Sequence, residues 1–103
     1  MWAQLQRVST KPDREAELLA VLDQLHAIEQ ADSGLLRTTV MRSQADPTVV
    51  YVLVVFESEE KARAREQDPR RAEALSSAQA MMGDLFEGAP EFTDLTVVDD
   101  WVL

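Results

Sequence analysis

The sequence predicts one α+β domain over residues 1–103, a ferredoxin-like β-α-β-β-α-α-β succession with helices on one face of an antiparallel sheet. Three observations predict it. Residues 49–56 (Val-Val-Tyr-Val-Leu-Val-Val-Phe) are eight apolar residues in a row, mostly β-branched or aromatic, too few to cross a bilayer and suited to a pleated strand. Two stretches repeat Leu, Ala and Met at three- and four-residue steps, as amphipathic helices do. The remaining segments alternate apolar and polar residues between turns rich in Gly, Pro, Asp and Ser.

The apolar run organises the rest. Side chains alternate along a strand, so Val50, Val52, Val54 and Phe56 share one face, and Val49, Tyr51, Leu53 and Val55 share the other. Both faces need cover, and a chain of this length has helices enough for one. The other is expected to be covered by a second copy, giving a homodimer through sheet faces formed by Val49, Tyr51, Leu53, Val55 and, from the last strand, Trp101.

In chain order, residues 2–10 form a first strand with Trp2, Gln4, Gln6 and Val8 on one face, ended by Lys11-Pro12-Asp13. Residues 13–31 carry a helical stripe of Leu18, Leu22, Leu25 and Ile28, with Asp13, Glu15 and Glu17 at the positive end of the helix dipole. Gly34 supplies a left-handed turn after it. Residues 35–43 alternate as a second strand, and the short turn through Asp46-Pro47 predicts an antiparallel hairpin into the central strand. Ser58 caps a short polar helix broken at Asp68-Pro69. A longer helix over 69–87 follows, with Ala72, Leu75, Ala78, Met82, Leu85 and Phe86 as its stripe and Gly88 and Pro90 closing it. Residues 92–103 read as the last strand.

Composition excludes several classes of function. A net charge of −9 opposes binding to nucleic acid or to an anionic membrane surface, both of which need Lys and Arg. The absence of cysteine removes disulfides, thiolate metal sites and a Cys nucleophile. No apolar leader follows Met1, so a cytoplasmic location is expected. No phosphate loop, dinucleotide fingerprint, nucleophile elbow or zinc motif is present.

Several short stretches taken together are familiar: Arg7-Val8-Ser9-Thr10-Lys11-Pro12, Gly34-Leu35-Leu36, Val55-Phe56-Glu57-Ser58-Glu59-Glu60 and Asp68-Pro69. In this succession the chain resembles the antibiotic biosynthesis monooxygenase superfamily over nearly its whole length. The resemblance implies a dimeric α/β barrel and a pocket between sheet and helices. It also implies oxygenation of a small aromatic or quinol-like substrate without metal, flavin or other cofactor. Where members with known chemistry use an Asn, a Trp and a His, this sequence has Gln6, Phe56 and Arg65. Arg65 cannot ligate haem iron or act as a base near neutral pH, which argues against haem opening. Under the resemblance Gln6 polarises a phenolic oxygen, Arg65 stabilises a substrate anion and Phe56 keeps an aromatic wall.

Two readings stand open for each remaining candidate. His26, the sole histidine, is either a general base or an exposed surface group. Met81, Met82 and Phe86 either line a pliable pocket for an apolar or aromatic ligand or pack as ordinary core. Arg63, Arg65, Arg70 and Arg71 either hold an oxyanion at a pocket mouth or form a solvated face paired with Glu59, Glu60 and Glu66. Glu57, Glu59 and Glu60 are explained by a helix start, so no metal site is expected. The alternative to an oxygenase is a non-catalytic small-molecule-binding or structural dimer of the same fold.

Overall fold

The computed structural model describes residues 1–103, apart from the side chain of Ser77. The elements run β1 (Trp2–Thr10), α1 (Glu15–Ala27), β2 (Leu35–Arg42), β3 (Val49–Phe56), α2 (Glu59–Glu66), α3 (Pro69–Leu85) and β4 (Phe86–Thr96). The strands form one sheet in the order β2-β3-β1-β4, with every neighbouring pair antiparallel. This is the ferredoxin-like α+β arrangement that the alternating and helical patterns predict.

The register of β3 on β1 sets Trp2 opposite Phe56, Gln4 opposite Val54, Gln6 opposite Val52 and Val8 opposite Val50. Those residues share the face under the helices, where two buried clusters form. Val50 packs with Leu18 and Val21 of α1 and Leu85 of α3, while Val54 and Phe56 pack with Trp2 and Ala62 of α2. The Trp2 and Phe56 rings lie 6.1 Å apart at 48°, a tilted contact of the kind aromatic quadrupoles favour. The opposite face carries Leu5, Tyr51, Leu53 and Val55, all half-buried in the single chain, with Met41 and Leu95 exposed beside them.

Local chemistry accounts for the boundaries. Ser58 accepts a hydrogen bond from the Lys61 N–H at 3.2 Å, and Asp68 accepts one from the Arg70 N–H at 2.9 Å, so α2 and α3 each begin on a side-chain cap, with Pro69 opening α3. Helix α1 starts two residues later than its acidic stretch suggests, because Asp13 has φ +60 and stands outside helical geometry. It ends at Ala27 rather than Ala31, before the turn at Gly34. Gly34 has φ +82, and a Cβ there would meet the Lys61 side chain at 2.6 Å. Gly34→Ala is therefore expected to cost about 1–2 kcal/mol, read as a lower urea midpoint at unchanged m-value. An unaltered midpoint would contradict that constraint.

The last strand departs from expectation. It spans Phe86–Thr96, not residues 92–103, and α3 ends at Leu85. Gly88 and Pro90 lie within β4 instead of closing the helix. Ser9 faces Glu87 and Arg7 faces Glu91, so β4 holds two extra residues between these pairs; Gly88, at φ +72, bends the bulge. Because β4 is an edge strand, the missing N–H of Pro90 leaves no interior ladder bond unmade. Trp101 is correspondingly not on a strand: it sits in the segment after β4 and is 73% exposed.

Candidate functional site

A cleft of about 830 Å³ lies between the sheet and the helices. Its floor is Gln6, Val8, Val50, Val52 and Val54, widened by Thr38 and Val40 of β2 and Phe92 of β4. Its roof is Leu18, Val21, Leu22 and Leu25 of α1 with Met82 of α3 and Phe86, the first residue of β4. The walls are mostly apolar, with a few polar groups gathered at defined places, as in small-molecule sites generally.

Of the residues singled out from sequence, Gln6, His26, Arg65, Met82 and Phe86 all line this cleft. His26 stands at an exposed position in the last turn of α1. Phe56 does not line it. Its ring is 2% exposed and lies beneath the Arg65 guanidinium, whose carbon sits 5.2 Å from the ring centroid. Phe56 thus supports Arg65 from behind by a cation–π contact.

Arg65 takes a partner that its own neighbourhood in sequence does not reveal. Its Nε donates to Glu29 Oε2 at 2.9 Å and its Nη2 to Glu29 Oε1 at 2.6 Å, a bidentate pair between the segment after α1 and helix α2. The two side chains are only 16% and 15% exposed. Arg71 approaches the same carboxylate at 3.8 Å. Burial pushes the Glu29 carboxyl up, but hydrogen bonds from Arg65 and Ser33 and the charges of Arg65 and Arg71 outweigh it. The group ends below its ordinary value. Elsewhere the basic residues behave as a solvated face: Arg63 pairs with Glu59 and Glu66, and Arg70 with Asp68 and Asp32.

Gln6 is oriented by a relay. Asp94 of β4 accepts from Gln4 Nε2 at 3.0 Å, and Gln4 Oε1 accepts from Gln6 Nε2 at 3.1 Å. An ionised carboxylate can only accept, so it fixes which end of each amide faces which. Bonds from Gln4 and Arg63 hold Asp94 below the ordinary carboxylate range, which keeps the relay in that sense. Gln6 Oε1 and one of its N–H groups then have no partner among the described residues. Glu29 has no local sequence signal; for the relay the one hint was the alternation that puts Gln4 and Gln6 on the same face of β1. Among the described residues no three His, Asp or Glu side chains gather as metal donors.

An antiparallel four-stranded sheet with helices on one side and a mostly apolar cleft between them defines a ferredoxin-like α+β domain. The chain belongs to the antibiotic biosynthesis monooxygenase family, whose model matches residues 1–76. Solved structures agree in fold. A protein of Caulobacter crescentus CB15 named for the same family is 23% identical, with 95% of this chain and 90% of that one covered at a TM-score of 0.77. SnoaB, a cofactor-independent oxygenase from Streptomyces nogalater, is 16% identical, with 96% and 94% covered at 0.74. A protein of Nitrosomonas europaea, also named for the family, is 14% identical, with 96% and 100% covered at 0.74. Comparison with curated proteins finds no match. No helix among the described residues is long and apolar enough to cross a membrane.

Proposed function

We propose that the chain is a cofactor-independent monooxygenase acting on a small aromatic or quinol-like substrate in this cleft. The observation that carries the reading is the joining of apolar walls to Gln6, His26 and Arg65 in one cavity of about 830 Å³. In an anthrone, loss of one proton gives a delocalised anion rich enough in electrons to reduce dioxygen. A carbon–oxygen bond then forms at the ring methylene, and the remaining hydrogen leaves with the second oxygen atom as water, so that anthrone and O₂ give anthraquinone and H₂O. Gln6 hydrogen-bonds the phenolic oxygen, His26 at the rim takes up the proton, and the positive end of the cleft at Arg65 stabilises the anion. The likeness of fold to SnoaB, a cofactor-independent oxygenase, supports the reading.

Two copies are further proposed to pack through the faces carrying Val49, Tyr51, Leu53 and Val55, closing a dimeric barrel. A chain that binds such ligands without turning them over is the second reading. It is favoured by Phe56 standing behind the cavity wall rather than in it.

Oxygen uptake with anthrones and hydroquinones distinguishes the two. The wild type is expected to exceed spontaneous oxidation, and Gln6→Leu to lose about 100-fold of that excess. A wild-type rate equal to the spontaneous one would remove the oxygenase reading for these substrates and leave the binding dimer.

A further inference from the structure

Arg65 and Arg71 share one counter-ion. The carboxylate of Glu29 is taken up by the fork of Arg65 at 2.6 and 2.9 Å, while Arg71 reaches it at 3.8 Å, beyond hydrogen-bond range. No hydrogen bond of the Arg71 guanidinium to the described residues accompanies that contact, although the group carries five N–H donors and its side chain is only 19% exposed. Burial first, and the charge of Arg65 second, hold Arg71 below its ordinary value, with Glu29 and Glu66 offsetting them in part. The other charged side chains of the cleft, Asp23 and Arg37, and the imidazole of His26 stand at exposed positions. Among the residues that line it, the sheltered end of the cleft therefore holds two cations against one anion, with Glu66 reaching Arg71 only from outside the lining, in a chain whose net charge is −9. Arg71 also lines a second, smaller cavity of about 170 Å³, so it stands in a wall with open space on both sides.

We infer that Arg71 is a binding residue for an oxyanion, a carboxylate or sulfonate, carried on an otherwise apolar aromatic ligand seated in the cleft. Arg65 is the positioning residue: its bidentate bond consumes Glu29 and so leaves Arg71 free to bind. A planar guanidinium with unengaged donors matches a two-oxygen anion, and the apolar floor of Val50, Val52 and Val54 takes the ring. The inference rests on reading the cleft as the ligand site, and it names the ligand's charge whether or not turnover follows.

Two fluorescent probes test it, 8-anilinonaphthalene-1-sulfonate and its uncharged counterpart N-phenyl-1-naphthylamine. The expected result is that Arg71→Gln weakens the sulfonate about tenfold and leaves the neutral probe within about twofold. Equal losses for both probes would mean that Arg71 only holds the wall, and would overturn the inference. So would a sulfonate affinity that falls with Arg65→Gln but not with Arg71→Gln, or a wild type that binds neither probe. The wild type alone supplies a second measurement, free of any folding defect. 2-Naphthoate should displace the neutral probe at about one-tenth the concentration needed for 2-naphthamide, and equal concentrations would overturn the inference. Arg71-dependent binding without oxygen uptake would leave the inference standing and remove the oxygenase reading; oxygen uptake without Arg71 dependence would do the reverse.

Discussion

Leu53→Lys is expected to convert a dimer into a monomer. Leu53 lies in the middle of the sheet face away from the helices, opposite Leu5 on β1 and Thr39 on β2. Its neighbours there, Tyr51 and Val55, are half-buried by the single chain, so a partner sheet would complete their burial. An ammonium group placed in such a contact has no counter-charge nearby and must be stripped of water. In a two-fold interface each substitution counts twice. At about 2–3 kcal/mol per copy, the dimer dissociation constant should rise by roughly three to four orders of magnitude. Sedimentation velocity at micromolar concentration reads this directly. A wild type that already sediments as a monomer, or a variant with unchanged mass and melting temperature, would count against face-to-face pairing.

The second large effect is expected at Glu29. Removing it in Glu29→Ala leaves Arg65 and Arg71 facing one another in a partly desolvated wall with no anion between them. Breaking a fully buried pair costs several kcal/mol. These side chains keep some contact with water, so a loss of about 2–3 kcal/mol is expected. For a domain of this size that is a fall in melting temperature of roughly 10–20 °C. A double-mutant cycle with Arg65→Met should show a coupling of at least about 1 kcal/mol, because the second change removes the stranded charge. Strict additivity would deny the interaction.

Acid should act on the same group. The Glu29 carboxyl lies below its ordinary value of 4.5 in the folded chain, so the unfolded chain binds the proton more readily. Its contribution is therefore complete above about pH 4.5 and is lost as the pH falls through the folded value. The Glu29→Ala variant should lack this part of the acid dependence.

How much of this was legible in the sequence depended on how local its cause was. The faces of β3 followed from alternation alone, and the register with β1 reproduces them residue by residue. The cap at Ser58 was equally readable, since it serves a backbone N–H only three residues away. The family resemblance, carried by turn and strand signals, pointed to the fold that the structure shows. The last strand was misplaced because Gly88 and Pro90 usually end a helix, and only pairing with β1 reveals that they form an edge bulge. The pairing of Arg65 was hidden for a similar reason. Its sequence neighbours offered Glu66 and Glu60, whereas the fold brings up Glu29 from 36 positions away. Phe56 was correctly placed on the helix-side face, but its depth depended on packing with Ala62 and with Trp2, distant in sequence.

The two rims of the sheet share an irregularity whose consequence reaches beyond one molecule. On β2 the ladder slips at Leu36, between Leu35 and Arg37, and on β4 it slips around Gly88 and Pro90. A newcomer strand seeking to extend the sheet sideways meets a broken row of donors and acceptors at either border, with a proline interrupting one of them. Lateral growth into ribbons or fibrils is thereby discouraged.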